Sequence, residues 1–221
     1  IGSDSELIKP LISLTAKCDV DLLPLSRKDW DLTNAFPPLA LSEKILEFEP
    51  THLLYSAGLN IPQNLHQQEL AATLKSLNDH FAVNCSSFIS IVLYLQDILP
   101  KNLVSIHVIS SLYGIFGRRT RLPYSVSKHA LEGAVKCLAT EYPETLTLAY
   151  RPGFFKTKLT EKNLSTDQMQ KILSHIPSSR LGTPLDLSKV ILRNILEPPM
   201  YASGTSFTMD GGLTAGGIFE V

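Results

Sequence analysis

Short apolar clusters bounded by turn residues recur at 20–25, 52–55, 103–109, 145–150 and 205–209. Between them run longer stretches with apolar residues at helical spacing, at 6–17, 69–99, 124–142 and 184–196. That alternation restricts the fold more than any other feature. It predicts an α/β fold with a doubly wound parallel sheet, whose reactive loops lie at the carboxyl ends of the strands, where open sheets of this class bind ligands. The last helical stretch carries its own start signal, with Thr183 placed to cap it, Pro184 in its first turn and Asp186 complementing the helix dipole. Pro198 and Pro199 mark its end.

A chain of 221 residues with 44% hydrophobic content buries one substantial core, and with no repeat, low-complexity run or linker it reads as one domain spanning 1–221. Its 20 basic and 21 acidic side chains nearly cancel, which speaks against nucleic acid or an anionic membrane surface and for a small, mostly neutral ligand. Cys18, Cys85 and Cys137 are an odd, widely spaced set. They suit neither a disulfide framework nor a zinc site, and imply a reducing, cytoplasmic compartment. The longest apolar run, 88–95, falls short of the roughly 20 residues that span a bilayer. No charged leader followed by an apolar segment opens the sequence, so no secretory signal is expected.

The strongest local signal is Tyr124-Ser125-Val126-Ser127-Lys128 at the start of a helical stretch. Residues four apart share a helix face. A free phenol, with a pKa of about 10, is a poor acid/base near neutrality, but a nearby ammonium favours phenolate and lowers that value. The pair is therefore a candidate proton-transfer group. Ser111 ends the preceding strand cluster, placing a hydroxyl where it can meet the Tyr124 phenol around a substrate oxygen. Asn84, inside the long preceding helix, supplies a fourth polar group.

These residues resemble the short-chain dehydrogenase/reductase family, and the resemblance extends over essentially the whole chain. Ser111 lies 13 residues before Tyr124 and Asn84 lies 40 before it, both at the family's usual spacing. The resemblance implies a Rossmann-like fold and a tetrad of Asn84, Ser111, Tyr124 and Lys128. In it, Tyr124 exchanges the proton, Ser111 polarises the substrate oxygen, Lys128 holds the nicotinamide ribose and tunes Tyr124, and Asn84 anchors a water leading to solvent. Arg151-Pro152-Gly153-Phe154-Phe155-Lys156-Thr157 matches the family's Pro-Gly motif, so Pro152, Gly153 and Thr157 are expected beside the nicotinamide. Ser56-Ala57-Gly58 is similar to an Asn-Ala-Gly turn with serine in place of asparagine. The segments Arg180 to Asp186 and Met209 to Gly212 match architectural signatures.

The glycine-rich cofactor turn is the departure. It aligns with Ile1-Gly2-Ser3-Asp4-Ser5-Glu6-Leu7-Ile8, where only Gly2 survives and Glu6 and Ile8 replace the other two glycines. Binding there is expected through Gly2, Ser3, Ser5, Leu7 and backbone N–H groups, with Glu6 pointing away. The alternative is a cradle that has lost its affinity. The resemblance begins at this turn, leaving no residues for the family's central first strand. Loss of that strand would leave backbone groups unpaired, so a short apolar segment is expected before Ile1. Ser26 and Arg27 follow the 20–25 cluster, where an arginine can pair with the extra phosphate of NADP; NADP(H) is expected, with NAD(H) the other possibility. Asp31 and Leu32 match the stretch that holds adenine.

The stretch 158–179, with Leu159, Leu164, Met169, Ile172 and Leu173 at roughly helical spacing, lies where the family closes over substrate. It is read as a lid. Arg118, Arg119 and Arg121 sit on a loop near the expected pocket mouth. The substrate is read as a small-molecule carbonyl or alcohol: a 3-oxoacyl thioester, a keto-sugar nucleotide or a small polyol. The resemblance also implies a homodimer or homotetramer built on apolar helix faces containing Phe88, Ile89, Val92, Leu95, Leu131, Val135 and Leu138, with burial inside one subunit as the rival. The reading is thus an NAD(P)(H)-dependent oxidoreductase interconverting a carbonyl and a secondary alcohol. A cofactor-deficient scaffold and an epimerase or dehydratase are its alternatives.

Overall fold

The structure is a computed structural model that describes residues 1–34, 37–67, 69–99, 102–158, 160 and 165–217. Four strands, β1 (His52–Tyr55), β2 (Ser105–Ile109), β3 (Leu146–Pro152) and β4 (Ser206–Met209), form one sheet in the order β1-β2-β3-β4. All three pairings are parallel. Every residue of β2 is buried, as both faces of a parallel sheet must be when crossover helices cover them.

On one face lie α3 (Leu70–Phe81), α4 (Ser87–Ile98) and α5 (Leu122–Glu141), with Phe88, Ile91, Leu131 and Val135 packed against Leu53, Tyr55, Ile106, Val108 and Ala149. On the other lie α1 (Lys9–Thr15) and α7 (Pro184–Leu196), where Ile8, Leu11, Leu187 and Ile191 meet Leu146, Leu148 and Tyr150. Helix α7 begins as its sequence predicts: Thr183 accepts from the Asp186 amide, and Asp186 reaches back to the Thr183 amide. Helices α2 (Leu39–Phe48) and α6 (Thr166–Ser174) complete the framework.

The sequence predicts a single helix over 69–99. The structure divides it by a wide π turn, Ala82–Ser86, that carries Asn84 and Cys85 into the core. By length and composition alone the 29 residues Leu70–Ile98 are apolar enough to cross a membrane, a possibility that the shorter run 88–95 hides. In the fold, the apolar face of α4 lines the sheet, while Leu70, Leu74 and Phe81 of α3 are exposed. The same packing takes up most of the apolar residues expected on a subunit face. Phe88, Val92, Leu95, Leu131, Val135 and Leu138 are buried within the chain itself, because they point at the sheet.

Residues 20–25 form no strand. A strand needs a ladder on at least one edge, and between this segment and β1 runs only the start of the chain. Ile1 donates to the Leu54 carbonyl and accepts from the Ser56 amide, while the Gly2 and Ser3 amides both donate to Leu25. Beyond those contacts a cavity of about 680 Å³ separates the two segments.

Polar groups on the α7 face of the sheet are joined to one another. His52 Nδ1 lies 2.6 Å from Ser105 Oγ, which lies 2.7 Å from His107 Nε2; His107 Nδ1 in turn lies 2.9 Å from the Tyr150 hydroxyl. Asn194 donates to that same hydroxyl at 3.1 Å. Burial lowers the His107 pKa to about 3, so the ring is neutral and its polarity is satisfied by neighbours rather than by charge.

Candidate active site

The carboxyl ends of β1, β2 and β3 open into a cleft of about 1160 Å³. Tyr124 and Lys128 face it from the first two turns of α5, and Ser111 from the residue that caps the short 3₁₀ turn Leu112–Gly114. Ser111 Oγ accepts the Tyr113 amide at 3.2 Å, leaving its own hydrogen to donate. Tyr113 packs edge-on against Tyr124, with ring centroids 5.9 Å apart.

Lys128 is buried, its Nζ 5.7 Å from the centre of the Tyr124 ring and donating to the Ile109 carbonyl at 2.8 Å. Burial lowers its pKa from 10.5 to about 8, with Glu132 opposing the shift. Tyr124 departs from the sequence expectation. Burial raises its pKa, against the pull of Ser111 and Arg121, because desolvation disfavours a phenolate and the Lys128 ammonium is turned toward Ile109.

Asn84 is fully enclosed. Its Oδ1 accepts the Leu59 amide at 2.7 Å, and its Nδ2 donates to the Leu59 carbonyl at 2.9 Å and to Ser127 Oγ at 2.8 Å. Both donor hydrogens are engaged, so only a remaining lone pair on Oδ1 is left for the water that sequence reasoning assigns to it. The direct work of Asn84 is to tie the loop after β1 to α5. Gly58 lies beside it: a Cβ there would stand 3.6 Å from Asn84 Oδ1 and 3.9 Å from Lys128 Nζ.

Most expected cofactor residues line the same cleft: Gly2, Ser5 and Leu7; Ser26, Arg27, Asp31 and Leu32; Ser56, Ala57 and Gly58; and Pro152, Gly153 and Thr157. Ser3 lines the second cavity instead, its amide bonded to Leu25, because Gly2 turns the chain at φ +81°. A Cβ on Gly2 would come within 2.5 Å of the Ala57 nitrogen, so the surviving glycine is required by the close approach of two backbones. Ser56 Oγ fixes this junction by donating to the Ile1 and Gly2 carbonyls, both at 2.9 Å.

Several expected ligand groups are already engaged. Ser26 donates through its amide and its hydroxyl to Asp29, Asp31 accepts from the amide and hydroxyl of Thr33, and Thr157 Oγ1 caps the turn at Thr160. At the mouth, Arg118 donates to the Tyr113 hydroxyl and Arg121 to Asn60. Of the stretch read as a lid, the structure gives α6, which opens with a capping box at Ser165 and buries none of its residues. Leu159 and Leu164 lie outside the described residues.

Sequence reasoning missed the pairing of Glu132 with Arg151, the Ser127 partner of Asn84 and the carbonyl of Ile109. Glu132 lies one turn beyond Lys128 and eight residues after Tyr124, a helical spacing that signals a shared face. The other two partners depend on tertiary contact.

A nicotinamide dinucleotide fits the two ends of this cleft. Arg27 and Leu32 stand at one end and the buried Lys128, with Tyr124, at the other, and Gly58 lines the space between. A family model described as Enoyl-(Acyl carrier protein) reductase matches residues 49–214. The 3-oxoacyl-(acyl-carrier-protein) reductase FabG of Buchnera aphidicola subsp. Schizaphis graminum is 34% identical over 122 residues, which are 54% of this chain and 49% of that protein. The chain thus spans about half the length of the curated relatives it matches.

An oxidoreductase of the short-chain dehydrogenase/reductase family from Burkholderia thailandensis superposes with a TM-score of 0.82 at 20% identity, covering 97% of this chain and 91% of that one. A Beutenbergia cavernae protein, described as an NAD(P)-dependent gluconate 5-dehydrogenase with bound NADP, gives 0.75 at 21% identity, over 92% and 81%. With its parallel sheet, its cleft and the match over 49–214, the chain belongs to the short-chain dehydrogenase/reductase family.

Proposed function

We propose that the chain is an NAD(P)(H)-dependent oxidoreductase that interconverts a carbonyl and a secondary alcohol, with Tyr124 exchanging the proton. The observation that carries this reading is the convergence of Tyr124, Ser111 and buried Lys128 on one cleft that also reaches Arg27 and Leu32. A bound nicotinamide would supply or accept the hydride. Lys128, Pro152, Gly153 and Thr157 would hold it, and Arg27 would meet the extra phosphate of NADP. Ser26 adds little there, because its hydroxyl serves Asp29.

The chain's own part is proton transfer and positioning. Ser111 retains a hydrogen to donate to the substrate oxygen, polarising it. Burial keeps the Tyr124 phenol protonated at neutral pH, the state that delivers a proton to a carbonyl oxygen. The stretch 158–179 is read as covering the substrate, with Arg118 and Arg121 at the mouth.

The test is direct titration with NADPH and NADH. Saturable binding supports the reading. No binding of either at millimolar concentration overturns it in favour of a cofactor-deficient binding protein.

A further inference from the structure

Between its two ends the cleft is walled by Gly2, Asp4, Ser5, Glu6 and Leu7. Glu6 is fixed in this wall. Its Oε2 accepts the backbone amide of Lys158 at 2.8 Å, and its Oε1 lies 3.9 Å from Lys158 Nζ. The residue before Lys158, Thr157, also lines the cleft. The Glu6 carboxylate thus spans from the glycine turn to the loop leaving β3.

The cation beside it, the Lys158 ammonium, is 87% exposed and screened by water, so it offsets the carboxylate only weakly. The amides of Ser5 and Ile8 are engaged in turn bonds to Gly2 and Ser5. Helix α1 begins beyond them at Lys9, with Pro10, which has no N–H, in its first turn. A dinucleotide laid along the cleft, with its adenosine toward Arg27 and its nicotinamide toward Tyr124, brings its diphosphate to this wall.

We infer that Glu6 is an affinity-determining residue of the cleft: its carboxylate, held by the Lys158 amide, repels the diphosphate. The inference rests on the dinucleotide reading above. Its consequence is that this chain holds the diphosphate weakly and depends on the two ends of the ligand for its grip.

Glu6→Gln removes the charge while keeping an oxygen for the Lys158 amide, and Glu6→Ala removes both. The Glu6 side chain is 30% exposed, so neither change empties a core position. The full chain and both variants are titrated with NADPH and NADH by fluorescence at low and high salt, with thermal melting to confirm folding. Glu6→Gln should bind about tenfold more tightly at low salt, the size of one nearby like charge removed, and the gap should narrow as salt screens the repulsion.

Equal or weaker binding by both variants overturns the inference while leaving the dinucleotide reading intact. A gap between wild type and Glu6→Gln that is unchanged by salt also overturns it. Absence of binding in wild type and both variants overturns the inference and the dinucleotide reading together.

Discussion

Arg151 grips Glu132 as a fork, Nε to Oε1 at 2.9 Å and a terminal nitrogen to Oε2 at 3.0 Å, joining the residue before Pro152 to the helix that carries Tyr124 and Lys128. Ser206 on β4 donates to the same carboxylate. Burial would raise the Glu132 pKa, but the bonds from Arg151 and Ser206 outweigh it and hold the group ionised. Removing one partner strands the other charge. Glu132→Leu is expected to cost about 3 kcal/mol, read from the shift in urea midpoint. A loss below about 1 kcal/mol would show that the pair carries little of the link between β3 and α5.

Tyr124→Phe keeps the ring against Tyr113 and removes only the hydroxyl. Turnover should fall about 10³-fold, within the range for a lost general acid, while dinucleotide affinity changes by less than about threefold. Turnover comparable to wild type would refute the acid role.

Lys128 makes stability depend on pH. Its folded value of about 8 lies below the ordinary 10.5, so between those values the unfolded chain binds more protons than the folded one. The penalty for burying the ammonium is fully present below about pH 8 and is relieved as pH rises toward 10.5, by about 3 kcal/mol in total. Urea unfolding of wild type and Lys128→Met at pH 7 and pH 10 should show the difference in stability between them move in that sense. A difference constant with pH would contradict the buried charge.

Asn84→Ala leaves the Leu59 amide and carbonyl without partners in an enclosed site. A loss of at least about 2 kcal/mol is expected, with faster hydrogen exchange at the Leu59 amide. Unchanged exchange at Leu59 would show that the loop is held by other contacts.

Arg27 lines the far end of the cleft. Arg27→Ala should weaken NADPH binding about tenfold, the loss of one charge-assisted contact, and leave NADH nearly unaffected. Equal weakening of both would remove the argument for NADP.

Much of this was legible in the chain. The cluster 52–55 is β1, and 103–109, 145–150 and 205–209 contain the starts of β2, β3 and β4, because continuous apolar runs between turn residues have few other uses. Thr183 and Asp186 announce α7 through bonds three residues apart, which are local by nature. The spacing of Tyr124, Lys128 and Ser111 marks them as a set, and the fold brings them to one cleft. The 20–25 cluster has the pattern of a strand and is not one, since a ladder needs a neighbour that no local pattern supplies. Helix α2 went unnoticed behind Pro37 and Pro38, and the π turn around Asn84 is hidden within a continuous helical period.

The sequence by itself determined the order of elements, the helix starts and the spacing of the catalytic candidates, because these follow from periodicity and from bonds spanning a few residues. Only the tertiary structure decided how those groups are tuned. It turned Lys128 toward the Ile109 carbonyl, engaged Asn84 with Leu59 and Ser127, joined Glu132 to Arg151 and set Glu6 against Lys158. Each of these depends on burial and on contacts between distant segments, and desolvation and hydrogen bonding act through space rather than along the chain.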